Sequence, residues 1–180
     1  AMFRYGQMRQ YAQFLVKQAS EETADRYLPI LARACFNAGD YYAALEHQKS
    51  LAARDTISGR AHMALATYQM AVGEYDSARQ SLLMARHVNP DFQTVRFNLA
   101  LNYMITGDTA EARTLLEELV VLPPGSGPVA EARVLLGDIL SRSGDSEDRS
   151  RAKELCREAQ AMMEQALGPQ PFVAVYHLWA

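Results

Sequence analysis

The residues able to do chemistry in this chain are few and badly spaced for it. The four histidines, His47, His62, His87 and His177, show neither HxxxH nor HExxH spacing, which would put two imidazoles on one helix face. No metal site is expected. Two cysteines, Cys35 and Cys156, are too few for a disulfide scaffold. Both fall on apolar-periodic faces and are expected as buried free thiols, which fits a reducing compartment. Gly125-Ser126-Gly127-Pro128-Val129-Ala130 has the letters of the dinucleotide fingerprint GxGxxA. That motif works only after a β-strand, and the preceding Thr109 to Leu122 has a helical period, so the segment reads as a loop between helices. No GxSxG, Walker loop or CxxC occurs, and acids such as Glu117-Glu118 read as solvated helix-face charges. The chain is expected to be non-catalytic, with no cofactor.

Composition narrows the remaining classes. The 180 residues are 49% hydrophobic and 22% charged, with a net charge of −3 and a pI near 5.8. Such a balance excludes disordered and low-complexity classes and offers nucleic acid or anionic membrane no basic field. No apolar run reaches the roughly 18 residues of a membrane helix, so no direct membrane insertion by this segment is expected. Between Ser141 and Arg151, Arg142, Arg149 and Arg151 alternate with Asp145, Glu147 and Asp148. Mixed signs of this kind read as a solvated polar loop before an RNA or phosphate contact. Fifteen arginines against three lysines, with abundant alanine, suit GC-rich codons and a bacterial source. The start at Ala1-Met2 reads as the edge of an excised fragment, which would make a missing leader or anchor uninformative.

Placement of these residues depends on an internal repeat. Gly39-Asp40, Gly73-Glu74 and Gly107-Asp108 recur every 34 residues, and Gly144-Asp145 follows after 37. Five residues after the first three glycines stand Ala44, Ala78 and Ala112; the fourth counterpart, Ala152, comes three residues late. Twelve after them stand Leu51, Ala85 and Leu119, and Pro90 and Pro124 close two units. Each glycine is flanked by two segments of 3.6 period, such as Ala61-Ala64-Leu65-Tyr68-Val72 and Tyr75-Ala78-Leu82-Ala85. Each unit is therefore predicted as two helices. Glycine in the left-handed region ends the first, an acid at the N-terminus of the second opposes its dipole, and alanine lets the backbones approach.

This pattern resembles the tetratricopeptide repeat (TPR), a 34-residue helix–turn–helix unit. The second unit matches through Leu65-Ala66, Gly73, Tyr75, Ala78, Ala85 and Pro90, and the third through Leu99-Ala100, Tyr103, Gly107, Ala112, Leu116, Leu119 and Pro124. The resemblance implies an all-α fold, a right-handed superhelical α-solenoid of repeats at 25–58, 59–92, 93–126 and 130–167. An N-terminal helix at 1–24 would pack on it, and 168–180 would be an apolar helix or tail. Pro29 would confine the first repeat's opening helix to a start near Leu28.

The resemblance also implies a concave groove lined by the first helix of each unit. Its positions fall on Arg26, Pro29, Arg33, Phe36 and Asn37; on Arg60, Met63, Thr67, Met70 and Ala71; on Thr94, Phe97, Leu101, Met104 and Ile105; and on Glu131, Val134, Asp138, Ser141 and Arg142. Pro29, Arg33, Ala64, Thr94 and Asn98 stand where co-chaperone repeats grip a C-terminal dicarboxylate, so that clamp is absent. The expected partner-binding set is Arg26, Arg33, Arg60, Met63, Thr67, Met70, Phe97, Leu101, Met104 and Ile105. Its apolar strip suits an amphipathic helix or extended apolar peptide, and its arginines suit acidic groups on that partner. Either the strip binds such a partner, or it is filled internally by the N-terminal helix or the tail.

The expected function is a scaffold for protein or peptide partners in a bacterial envelope assembly: secretion, pilus or exopolysaccharide machinery. The expected location is cytoplasmic, either free or tethered to the inner membrane by a segment outside this sequence, with a periplasmic location as the other choice. The alternative is a chaperone for a secreted hydrophobic client, similar to type III secretion translocator chaperones. Phe172 to Trp179 is too apolar for a solvated end; it docks on the fourth unit, binds a partner, or joins a homodimer.

Overall fold

The computed structural model describes residues 21–54 and 58–167, with isolated helical positions between 6 and 17. The packing expected of the N-terminal helix and the docking expected of the tail at 168–180 lie outside the described residues. Among the described residues there are eight helices and no strand: α1 (Glu21–Asn37), α2 (Tyr41–Arg54), α3 (Gly59–Ala71), α4 (Tyr75–Val88), α5 (Gln93–Thr106), α6 (Thr109–Val120), α7 (Val129–Ser141) and α8 (Ser146–Leu167). They fall into two compact units, residues 1–107 and 108–180. No helix among them is long and apolar enough to cross a membrane.

In the first unit each helix packs on the next. The turns between α1 and α2 and between α3 and α4 are made alike. Gly39 at φ 82° and Gly73 at φ 83° occupy the left-handed region. Behind them the Asp40 N–H donates to the Cys35 carbonyl at 2.9 Å, and the Glu74 N–H to the Gln69 carbonyl at 2.9 Å. Two orphan carbonyls are thus satisfied while the chain reverses. Reversal sets Ala32 and Ala44 into one core cluster with Leu31, Cys35, Leu45 and Tyr68. Ala66 and Ala78 hold the corresponding places in the second pair, both fully buried. Asp40 caps α2, its Oδ1 accepting from the Ala43 N–H at 3.3 Å, whereas Glu74 makes no side-chain cap bond.

Proline does not delay the first helix as expected. α1 begins at Glu21 and carries Pro29 in its interior. Pro29 is exposed, so the carbonyl that loses its helical donor lies on a face where water can replace it.

The second unit is held by arginines. Arg113 of α6 donates to Glu117 at 3.1 Å and to Asp148 of α8 at 3.3 Å. Arg133 of α7 donates to the Val120 carbonyl that ends α6, at 2.9 Å, and to Glu158 of α8, at 2.9 Å. The Ser143 hydroxyl first, with Arg113 and Arg151 behind it, holds the Asp148 carboxyl below its ordinary value of 3.8, although burial opposes them. At Gly137 α7 meets α8 so closely that an added Cβ would lie 3.0 Å from Cys156 Sγ and 3.3 Å from the Ala152 carbonyl oxygen.

Three expectations change in this unit. Gly144 is not among the positive-φ glycines, so the fourth turn is built without a left-handed residue. The polar segment is not a loop throughout: α8 begins at Ser146, and the Asp145 carboxylate accepts from the Glu147 N–H at 2.9 Å. Cys156 is exposed, unlike the buried Cys35. Cys156 stands four residues after the buried Ala152 but lines the open cleft between α7 and α8.

Two tests follow from these contacts. Gly137→Val should cost about 1–3 kcal/mol in urea unfolding, because its neighbour at 3.3 Å is backbone and cannot rotate away; a change near zero would refute the close contact. Because the folded Asp148 carboxyl titrates below 3.8, its contribution is complete above that pH and is lost as pH falls toward the folded value. Asp148→Asn should therefore lower Tm near neutral pH, and its curve should approach that of the wild type as pH falls below 3.8.

Candidate partner-binding surface

The expected binding residues lie on α1, α3 and α5 of the first unit. On α5, Val95, Leu99 and Asn102 are completely buried. Phe97, Leu101 and Met104 fall on the opposite side of the helix at 100° per residue and are half-buried. Ile105, beside them, is 51% exposed. α3 lies directly alongside α5. It contributes the half-buried Met63 and Met70 and the exposed Thr67, whose hydroxyl donates to the Met63 carbonyl at 3.0 Å. That hydroxyl is therefore spent within its own helix. The strip is thus neither solvated throughout nor closed into the core.

The arginines divide. Arg60 lines a cleft of about 490 Å³ with Pro29, Gln48, Leu51, Arg54 and Ala61. Arg26 and Arg33 are exposed on α1. Burial pushes the Tyr68 hydroxyl pKa up, and nearby Arg33 partly offsets it. His47 is half-buried and its pKa is pulled down by that burial, against Asp40 and Glu46. It is therefore neutral at pH 7 and acts as a packing group.

Apolar periodicity did not reveal the polar braces that set these helices. Asn102 is completely buried. Its Nδ2 donates to the Tyr75 carbonyl at 2.9 Å and its Oδ1 accepts from Arg79 Nε at 3.2 Å. Arg79 Nη2 donates to Thr106 Oγ1 at 2.9 Å, and the guanidinium carbon lies 4.8 Å from the centre of the Tyr103 ring. This network fixes α5 on α4 in one rotational setting, and that setting turns Phe97, Leu101 and Met104 away from the core. Gln48 does the same work between α2 and α3, donating to the Ala61 carbonyl at 3.0 Å. Between α3 and α4, Ser81 Oγ donates to Gln69 Oε1 at 2.8 Å. A sequence signal did exist: Asn102 breaks the apolar period of Val95 and Leu99 on the buried face. Asn102→Ala should destabilise the chain by about 1–3 kcal/mol, since it removes two hydrogen bonds at a completely buried position and leaves a void there. A loss in chemical denaturation below a few tenths would show that the network is dispensable.

The family model described as tetratricopeptide repeat matches residues 63–127, the segment from Met63 of the strip to Gly127. No curated protein matches the sequence. Among solved structures, MamA is similar at TM-score 0.72 and 19% identity, over 88% of each chain. A thermophilic TPR protein of Thermus thermophilus is similar at TM-score 0.70 and 22% identity, over 91% of this chain and 86% of that one. The type III secretion translocator chaperone SycD of Yersinia enterocolitica is similar at TM-score 0.52 and 17% identity, over 83% and 90%. At these identities the structures speak for the fold alone. Repeat register, helix pairing and the family match over residues 63–127 agree on tetratricopeptide repeats in that segment, within a fold shared with these structures.

Proposed function

We propose that this chain is a non-catalytic scaffold for protein partners and binds an amphipathic helix or extended apolar peptide on the α3–α5 strip. The observation that carries this reading is the strip itself. Met63, Met70, Phe97, Leu101 and Met104 remain half-buried on helices whose opposite side already fills the core. Methionine adapts to varied apolar surfaces. Arg26, Arg33 and Arg60 at one end supply cations for acidic groups on the same partner. In this reading the repeats run 25–58, 59–92, 93–126 and 130–167, flanked by an N-terminal helix at 1–24 and a C-terminal tail at 168–180.

The arginine-rich composition supports a bacterial source, and with it a place in an envelope assembly for secretion, pilus or exopolysaccharide export. The chain would stand on the cytoplasmic side, either free or tethered by a segment outside this sequence, with the periplasm as the other choice. A second reading, a chaperone for a secreted hydrophobic client, draws on the similarity to the translocator chaperone.

Met70→Glu with Phe97→Glu tests the strip, using a peptide with leucines on one helical face and glutamines on the other. Affinity should fall by about tenfold or more with helicity and Tm unchanged, since two charges would then have to be desolvated against leucine. Unchanged affinity would refute the strip as a binding surface, and unfolding would show it to be internal filling.

A further inference from the structure

The α7–α8 cleft of the second unit takes no part in the surface above. It encloses about 810 Å³. Val134, Gly137, Ala152 and Cys156 give it a small, apolar floor. Along one wall stand Arg149, Lys153 and Arg157, at i, i+4 and i+8 of α8 and all exposed.

The charges on α8 are segregated. Glu147, Asp148, Glu154 and Glu158 do not line the cleft. Asp148 is held by Arg113 and Glu158 by Arg133. The one acid that does line it, Asp138, is already paired with Arg142 at 3.0 Å. Glu164 returns to the cationic side only about 10 Å past Arg157 along the helix, and there it accepts from Gln160 at 2.8 Å. Arg149 donates to two backbone carbonyls, those of Asp145 and Gly144, at 3.3 and 3.5 Å. Lys153 and Arg157 make no hydrogen bond or ion pair among the described residues. Three like charges on one stripe repel each other in the free chain, so an anionic occupant relieves a cost already present.

We infer that this cleft is a second partner site, one that takes an acidic peptide segment whose carboxylates pair with Lys153 and Arg157 while small side chains rest on the floor. Nucleic acid fits less well. Among the described residues no aromatic side chain lines the cleft to stack on a base, and the chain as a whole is acidic. The site rests on other residues than the α3–α5 strip and can fail or hold independently of it.

The test uses the full chain and a fluorescein-labelled peptide of alternating glutamate and alanine, with a glutamine–alanine peptide and oligouridylate as comparisons. Lys153→Glu with Arg157→Glu should weaken binding of the acidic peptide by about tenfold or more, and so should raising salt from about 50 to about 300 mM. The Met70→Glu, Phe97→Glu chain should bind it as the wild type does. The acidic peptide should also slow thiol labelling, which reads the cleft because Cys156 is exposed on its floor while Cys35 is buried. Lys153→Gln with Arg157→Gln replaces the reversal pair if circular dichroism shows that pair to be misfolded. Equal binding by the charge variants, equal binding of the glutamine peptide, tighter binding of oligouridylate, or unchanged Cys156 labelling would overturn the inference.

Discussion

The close approach of paired helices at small residues is the constraint on which the rest of this structure depends. Ala32 and Ala44 in the first pair and Ala66 and Ala78 in the second are fully buried, and in the last pair Gly137 lies so near Ala152 that even a Cβ would crowd it. A left-handed glycine sets the reversal in the first two of these pairs, and the small residues set the distance. With backbones that close, much of the apolar content is consumed as alanine between helices. Larger residues are left for the contacts between pairs and for the surface.

Polar bonds then choose the rotation of each helix, which close approach alone leaves open. Asn102 and Arg79 fix α5 on α4, Gln48 fixes α3 on α2, and Arg133 ties α7 to the end of α6 and to α8. An apolar face can slide over another apolar face at little cost, but a buried amide that loses its partner cannot. The exposed sides of α3 and α5 therefore present one set of residues rather than an average of several. A surface of half-buried methionine, phenylalanine and leucine held in one orientation is suited to recognising a partner's apolar face.

The repeat and its helix pairs were legible in the sequence because glycine, acid and alanine each answer a local steric demand at a fixed spacing. Three kinds of feature were not. Pro29 lies inside α1 because exposure, which the sequence does not state, lets solvent replace the lost donor. Cys156 is exposed although it stands four residues after the buried Ala152, because an open cleft lies between α7 and α8 on that side, and periodicity cannot say which face is left uncovered. The Arg149–Lys153–Arg157 stripe is hidden among alternating signs in linear order. It becomes visible only once α8 is wound and Asp148 and Glu158 are drawn to arginines on other helices. Side chains that serve long-range partners are read last, since nothing adjacent in sequence calls for them.

The central claim is that α3 and α5 present an apolar partner-binding face without enclosing it. Hydrogen–deuterium exchange of the full chain, with and without the leucine–glutamine amphipathic peptide, tests it most directly. The account predicts slowed exchange confined in the first unit to residues 60–71 and 94–105, with α2 and α4 unchanged. Protection confined to α2 and α4, or no protection at saturating peptide, would contradict it.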